Sequence, residues 1–236
     1  MDVYQKEYRI LASDVGPNRL LRPSRLFTFL QEAAIAHTEA LGFGREKTLD
    51  RGLLWVVTLQ EARITRLPEY DAHIVLSSVP GEMMHAFYPR YYQLSLSSGE
   101  PLLTASALWM LMEAKTRTMV FPEKSGVAIP AGNAAWETFL PTPPALPAGD
   151  AIRPFQAPYS SLDINGHMNN ASFLDLAVDL SPEALLHRPL RGIRAEYSGE
   201  VKADEAISLK YAAAEKEMRL AGFGEKRLFR IAMLYA

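Results

Sequence analysis

The chain has 236 residues, 48% of them hydrophobic and 22% charged, with a formal net charge of −2. That length accommodates one large domain or two small ones around a sizeable core, and the near-neutral balance argues against a nucleic-acid binder, which carries a strong basic excess. Cysteine is absent, which removes a thiol nucleophile, a disulfide framework and every zinc site that depends on Cys.

The first residues, MDVYQKEYRI, are charged and strand-like with no apolar h-region, so no signal peptide is expected. No run of about 18 uninterrupted apolar residues occurs, so no membrane span is expected either, and a soluble cytoplasmic protein is the default. Residues 4–11 alternate like a strand. The stretch RPSRLFTFLQEAAIAHTEALG predicts a helix that starts near Pro23–Ser24 and stops at Gly42, since Pro suits the first helical turn and Gly the residue just past the end. Its apolar residues cover more than one face, which predicts a largely buried helix.

Strand-like runs follow at 53–66, 72–79, 87–97 and 102–113, separated by Gly and Pro clusters placed as hairpin turns would be. One long helix followed by antiparallel strands is an α+β layout, a sheet wrapped on a single helix. Residues 138–150, TFLPTPPALPAGD, hold four prolines and cannot continue a helix or a central strand. They read as a linker, which gives an N-terminal unit at 1–137 and a C-terminal unit at 151–236. In the second unit, a strand at 151–158, a polar turn, a short helix at 171–180 ended by Pro182, and strands at 191–201, 206–213, 216–222 and 227–235 repeat the order of the first. Residues 13–30 and 160–176 take the same place in the two units, which supports a tandem duplication.

The polar turn, SLDINGHMNN at 161–170, has a local structural reading. Asn169 or Asn170 would accept from the first N–H groups of the helix, Asp163 and Asn165 would form Asx turns, and Gly166 would take a positive φ. It also has a chemical reading. An acid, amides and an imidazole lie together, with His167 just before a helix N-terminus, a place suited to a neutral ring that polarises a carbonyl. The remaining histidines are weaker candidates. His37 reads as a packed or partly exposed residue, and His73, His85 and His187 have no neighbours at metal-ligand spacing, so no metal is expected. No G-x-S-x-G elbow occurs, and GFGREK (42–47) and GFGEKR (222–227) lack the third glycine of a dinucleotide fingerprint, so no cofactor is expected.

LDINGHMNN resembles the D-x-N-x-H-x-N-N segment of acyl-acyl-carrier-protein thioesterases, the double hotdog enzymes of plants and bacteria. LQEAAIAH with GLLWVVTLQEARITRLPEYDAHIVLSS, and LLTASALWMLMEAKTRTMVFP, look like that family's first hotdog. AEYSGEV (195–201) resembles its E-Y-x-x-E-C segment, and the likeness runs from about residue 3 to 235. The resemblance implies a tandem (double) hotdog, each half an antiparallel β-sheet wrapped around a central helix. It also implies a catalytic set of Asp163, Asn165, His167 and Glu200. Val201 stands where plant members often have Cys, which closes a cysteine-nucleophile route and points to water activated by a general base. No histidine falls near Asn18 or Arg19, taken as the first-half equivalents of His167, so one active site per chain is expected, with the first hotdog shaping the acyl pocket. The targeting extension of the plant enzymes has no counterpart here, which fits a bacterial cytosolic form.

Within that resemblance, Glu200 is expected to serve as the general base, His167 to orient the water or the carbonyl, Asn165 to fix either one, and Asp163 to orient His167. Backbone N–H groups at the start of the 171–180 helix are the expected oxyanion donors. Whether His167 or Glu200 handles the proton stays open. The implied partner is an acyl carrier protein bearing a fatty acyl thioester. The densest basic cluster to receive it is His187-Arg188-Pro-Leu-Arg191-Gly-Ile-Arg194, with a solvated loop as the alternative. A homodimer is compatible with this reading, although two hotdogs in one chain already supply the pairing. The alternatives are an acyl-CoA thioesterase of the hotdog superfamily, a hotdog hydratase, which the three-residue gap between Asp163 and His167 disfavours, and a non-catalytic hotdog that binds acyl thioesters.

Overall fold

A computed structural model describes residues 3–134, 136 and 151–236. The Pro-rich segment at 138–150, expected to join the two units, lies outside the described residues.

The first half begins with strand β1 (Tyr4–Arg9) and a 3-10 turn (Ala12–Asp14), followed by helix α1 (Pro23–Ala40). Pro23 occupies the first helical turn, where a missing N–H costs nothing. The helix stops at Gly42, whose φ of 76° lets the Phe43 N–H reach back to the Thr38 carbonyl at 3.0 Å. Leu26, Phe27, Phe29, Leu30, Ala33, Ala34, His37 and Thr38 are buried, the wide inward face that their spacing predicts.

Strands β2 (Leu53–Ile64), β3 (His73–Pro80), β4 (Phe87–Leu96) and β5 (Pro101–Glu113) follow, then a two-residue strand β6 (Met119–Val120) that returns against β5 and a helical turn α2 (Pro122–Ser125). The second half repeats the plan: β7 (Ala151–Gln156), a 3-10 turn (Tyr159–Ser161), α3 (Ser172–Asp179), a helical turn α4 (Glu183–Leu186), then β8 (Leu190–Tyr197), β9 (Ala206–Ala214), β10 (Glu217–Phe223) and β11 (Arg227–Tyr235). The short elements β6, α2 and α4 carry too few residues for a readable period in the sequence.

All eleven strands form one antiparallel sheet in the order β1-β3-β4-β5-β2-β8-β11-β10-β9-β7, with β6 beside β5. The order is a palindrome of equivalent strands about the β2–β8 pair, so the two halves are related as two subunits of a dimer would be. Helix α1 packs on β1 and β3, α3 packs on β10 and β11, and the two helices touch each other. One hydrophobic core runs through both halves, from Phe27, Leu76 and Tyr92 to Phe173, Ile193 and Phe229. The seam between the halves is polar on one face. Arg194 of β8 reaches Glu61 of β2 at 2.7 Å and Glu196 at 2.9 Å, and Arg230 of β11 reaches Glu196 at 2.6 Å. A charge cluster this enclosed adds little net stability, because desolvation offsets much of the attraction.

The strand expected at 191–201 ends at Tyr197. Beyond it the Ser198 and Gly199 N–H groups both turn to the Leu228 carbonyl, at 2.8 and 2.9 Å. A Cβ on Gly199 would meet Leu228 Cδ2 at 2.6 Å, so a larger residue there would have to push the Leu228 side chain aside. This bend puts Glu200 on a loop instead of on the sheet.

Candidate active site

Residues 159–171 form a closed polar loop. A bridge between Leu162 and Met168 shuts it, the Asp163 N–H donates to the His167 carbonyl at 2.7 Å, and the Gly166 N–H donates to the Asp163 carbonyl at 3.0 Å. Gly166 takes φ 75°, which a glycine adopts without strain. Asp163 Oδ1 accepts the backbone N–H groups of Asn165 at 2.8 Å and His167 at 3.2 Å, and Oδ2 accepts Asn165 Nδ2 at 3.4 Å. The carboxylate therefore shapes the turn. The bond expected from Asp163 to the imidazole ring is not made, because its oxygens are directed at the backbone of its own loop.

The loop is fastened to residues 200–202. The Met168 N–H donates to the Val201 carbonyl at 2.8 Å, and His167 bridges Lys202. Val201 is fully buried. This clamp brings together two side chains that lie 33 positions apart (200 − 167 = 33): His167 Nε2 is 3.4 Å from Glu200 Oε2. The imidazole is 15% exposed and the carboxylate 39%, so the pair sits at a cavity wall that water can reach. Arg117 Nη1 lies 3.3 Å from the other carboxylate oxygen, Oε1.

Arg117 was not anticipated. It sits at φ 56° in the hairpin turn after β5, and nothing in EAKTRTM signals a residue that crosses to the other half. The visible hint is a cation held in a left-handed conformation, which a non-glycine residue adopts rarely.

Two cavities meet here. One, of about 540 Å3, is lined by Asp163, Asn165, His167, Glu200, Arg117 and Thr58 among others, with Lys202 and Lys226 also on its wall. The second, of about 370 Å3, runs into the first half among Ala34, Thr38, Trp55, Tyr88 and Trp109. Leu54, Trp55, Trp109 and Asn165 line both. All four expected residues, Asp163, Asn165, His167 and Glu200, thus line one cavity beside an apolar recess. Asp163 supports the other three from the turn.

Two further expectations change. Helix α3 starts at Ser172, five positions after His167, so the ring does not sit at the helix tip. Asn169 Oδ1 takes the Ala171 N–H and its carbonyl takes the Ser172 N–H, both at 2.9 Å, so these two N–H groups are engaged and are not open oxyanion donors. The basic cluster at 187–194 lies at the opposite end of β8 from Glu200, and its cations are occupied. Arg188 pairs with Glu215 at 3.6 Å, Arg191 donates to the Thr65 carbonyl, and Arg194 pairs with Glu61 at 2.7 Å. The cations on the cavity wall are Arg117, Lys202 and Lys226 instead.

The fold is thus a pair of hotdogs in one chain, with an acid, an amide and an imidazole on one cavity. The chain belongs to the acyl-ACP thioesterase family: residues 1–124 match the acyl-ACP thioesterase N-terminal domain and residues 147–224 its C-terminal domain. A palmitoyl-acyl carrier protein thioesterase of Cuphea hookeriana, a chloroplastic protein, is 25% identical over 226 residues, which cover 87% of this chain and 53% of that protein. The chain spans about half the length of the curated relatives it matches. In fold it is similar to an acyl-ACP thioesterase from Bacteroides thetaiotaomicron, with a TM-score of 0.89 at 18% identity over 99% of this chain and 98% of that one. A 12:0-ACP thioesterase from Umbellularia californica gives 0.80 at 19% identity, over 99% of this chain and 97% of that one.

Proposed function

We propose that this chain hydrolyses fatty acyl–acyl-carrier-protein thioesters to the free fatty acid and the carrier-protein thiol, ending chain elongation. The single observation that carries the reading is the His167–Glu200 pair, 3.4 Å apart on a cavity that adjoins an apolar recess. Membership of the family supports it, as do the names of relatives that act on palmitoyl and dodecanoyl carrier proteins.

In this reading Glu200 takes a proton from water as the water oxygen bonds to the thioester carbon. The carbon–sulfur bond then breaks, and the departing sulfur receives that proton. His167 Nε2, directed at Glu200 Oε2, holds the carboxylate in line, and Arg117 steadies the second oxygen. Asn165, on the wall common to both cavities, supplies an amide donor to the carbonyl. General-base help of this kind contributes about 10²–10⁴ in rate. Asp163 acts on the loop backbone. Val201 offers no nucleophile, so no covalent acyl-enzyme forms there.

The acyl chain lies in the apolar recess, where each buried CH₂ contributes about 0.8 kcal/mol. Arg117, Lys202 and Lys226 give the cavity wall a positive lining toward an acidic carrier protein. A cytoplasmic site of action is part of this reading, and a homodimer is not required. Thiol release from saturated acyl groups, C6 to C18, on acyl carrier protein and on CoA tests the reading. Faster turnover on the carrier protein supports it, equal or faster turnover on CoA makes the chain an acyl-CoA thioesterase, and no release with tight binding makes it a non-catalytic binder.

A further inference from the structure

The apolar recess in the first half has a polar inner wall that hydrolysis does not use. Arg90, on β4, is 3% exposed and lines the recess beside Thr38, Tyr88 and Trp109. Its guanidinium lies on the α1 side of the sheet. Nη1 donates to His37 Nδ1 at 2.9 Å and to Ser78 Oγ at 3.1 Å, and Nη2 donates to Thr38 Oγ1 at 2.9 Å. Every one of these acceptors is neutral: burial, then the nearby Arg90, pull His37 down to about 4, so its ring carries no charge near neutral pH. Among the described residues no carboxylate pairs with Arg90. A guanidinium has five N–H donors, and these three bonds leave the Nε donor and one on Nη2.

Two aromatic side chains stand beside it. Tyr92 follows Arg90 by two positions and so shares its face of β4, and Trp109 on β5 is opposite Tyr88 on that same face. Trp109 lines the recess with Arg90 and Tyr92 does not; Tyr92 Oη and Trp109 Nε1 are both buried beneath the wall, where the indole N–H is directed toward the phenol oxygen. A cation without a counter-ion, with two N–H donors unspent, is costly in a dry apolar wall. Its chemistry asks for an oxygen acceptor.

We propose that Arg90 forms a hydrogen-bond-donating subsite in the acyl recess that receives an oxygen carried on the distal part of the acyl chain and disfavours a methyl-ended chain long enough to reach it. The inference rests on the acyl-thioester reading above. A methyl terminus at Arg90 displaces water from the guanidinium and returns no acceptor, whereas a hydroxyl or carbonyl oxygen keeps the donors bonded.

The test uses pairs of acyl thioesters on one carrier, C6 to C16, each methyl-ended chain matched to an ω-hydroxy chain with the same number of heavy atoms. The unmodified protein is expected to show a window of lengths in which the ω-hydroxy member has a kcat/KM about tenfold higher or more, the scale on which an unmet buried donor acts. Arg90→Met is expected to erase the window and raise turnover of the longer methyl-ended chains; Arg90→Lys, which keeps the charge and loses the fork, keeps part of it. A constant ratio at every length in the unmodified protein overturns the proposal, with no variant needed. If no thioester of either series releases thiol, the hydrolase reading fails. Calorimetric binding of the matched free acids then decides the subsite: tighter binding of the ω-hydroxy acid within one length window upholds it, and equal binding rejects it.

Discussion

Leu20 and His167 occupy the same place in the two halves of the chain. Val15 bridges Leu21 as Leu162 bridges Met168, and the Gly16 N–H meets the Leu20 carbonyl at 3.0 Å as the Asp163 N–H meets that of His167 at 2.7 Å. The Leu21 N–H donates to the Pro68 carbonyl at 2.9 Å, as the Met168 N–H does to that of Val201 at 2.8 Å. Gly16, Asn18, Leu20 and Leu67 therefore stand where the second half has Asp163, Asn165, His167 and Glu200. The alignment with Asn18 or Arg19 expected from sequence is off by one or two residues, because Arg19, at φ 63°, is the equivalent of Gly166. The duplicated loop has kept its shape in the first half and lacks the acid–imidazole pair.

That asymmetry gives the first prediction. Leu67→Ala removes a buried side chain and is expected to cost about 2–5 kcal/mol of stability. Its kcat per folded molecule stays within about twofold, since single-site chemistry lies in the other half. Denaturant melts alongside turnover check this, and a loss of kcat of two orders of magnitude refutes it.

Asp163 tests the difference between shaping a turn and orienting a ring. Where a carboxylate orients an imidazole, its amide replacement loses about 10⁴ in kcat. Here Oδ1 accepts two backbone N–H groups, and an asparagine oxygen accepts them too. Asp163→Asn is expected to lose less than about tenfold in kcat, whereas Asp163→Ala loses about 1 kcal/mol of stability and more of the rate. Steady-state kinetics of the two variants separate the cases.

Arg117 holds the outer oxygen of Glu200 at 3.3 Å, and both side chains are well over a third exposed. An ion pair so open to water contributes about 0.2–1 kcal/mol. Arg117→Ala is accordingly expected to lower kcat by about two- to fivefold, with Arg117→Lys in between, an order measured from initial rates at saturating substrate.

His37 supplies a pH dependence of stability. The unfolded chain binds a proton there near pH 6.5, and the folded chain resists it until about pH 4, through burial and the neighbouring Arg90. Between those values the unfolded state holds more protons, so stability is complete above pH 6.5 and falls as pH drops toward 4. Urea midpoints measured from pH 8 to pH 4 should fall less steeply for His37→Gln than for the unmodified protein. Identical slopes would show that His37 does not couple folding to protons.

The long elements were legible in the sequence because their periods are long. The α1 stripe and the alternation in β2, β5 and β11 predict those elements within a few residues. Glu200 was legible as a residue type and not as a position on a strand, because the bend at Ser198–Gly199 depends on contact with Leu228, which no local pattern encodes. Arg117, Lys202 and Lys226 were missed for a similar reason. Arg117 reaches the cavity through the pairing of the two halves, and Lys202 and Lys226 reach it from loops of the second half that carry no readable period. The cluster at 187–194 looked open in sequence, whereas folding brings Glu61, Thr65 and Glu215 to its arginines.

The most direct measurement is thiol release from an acyl carrier protein thioester by the unmodified chain and by Glu200→Gln and His167→Ala, each first confirmed folded by its melting temperature. The expected result is turnover by the unmodified chain and a loss of about 10²–10⁴ in kcat for each variant, with KM nearly unchanged. Full-rate hydrolysis by either variant would remove that residue from the chemistry, and an inert unmodified chain would contradict the proposed function as a whole.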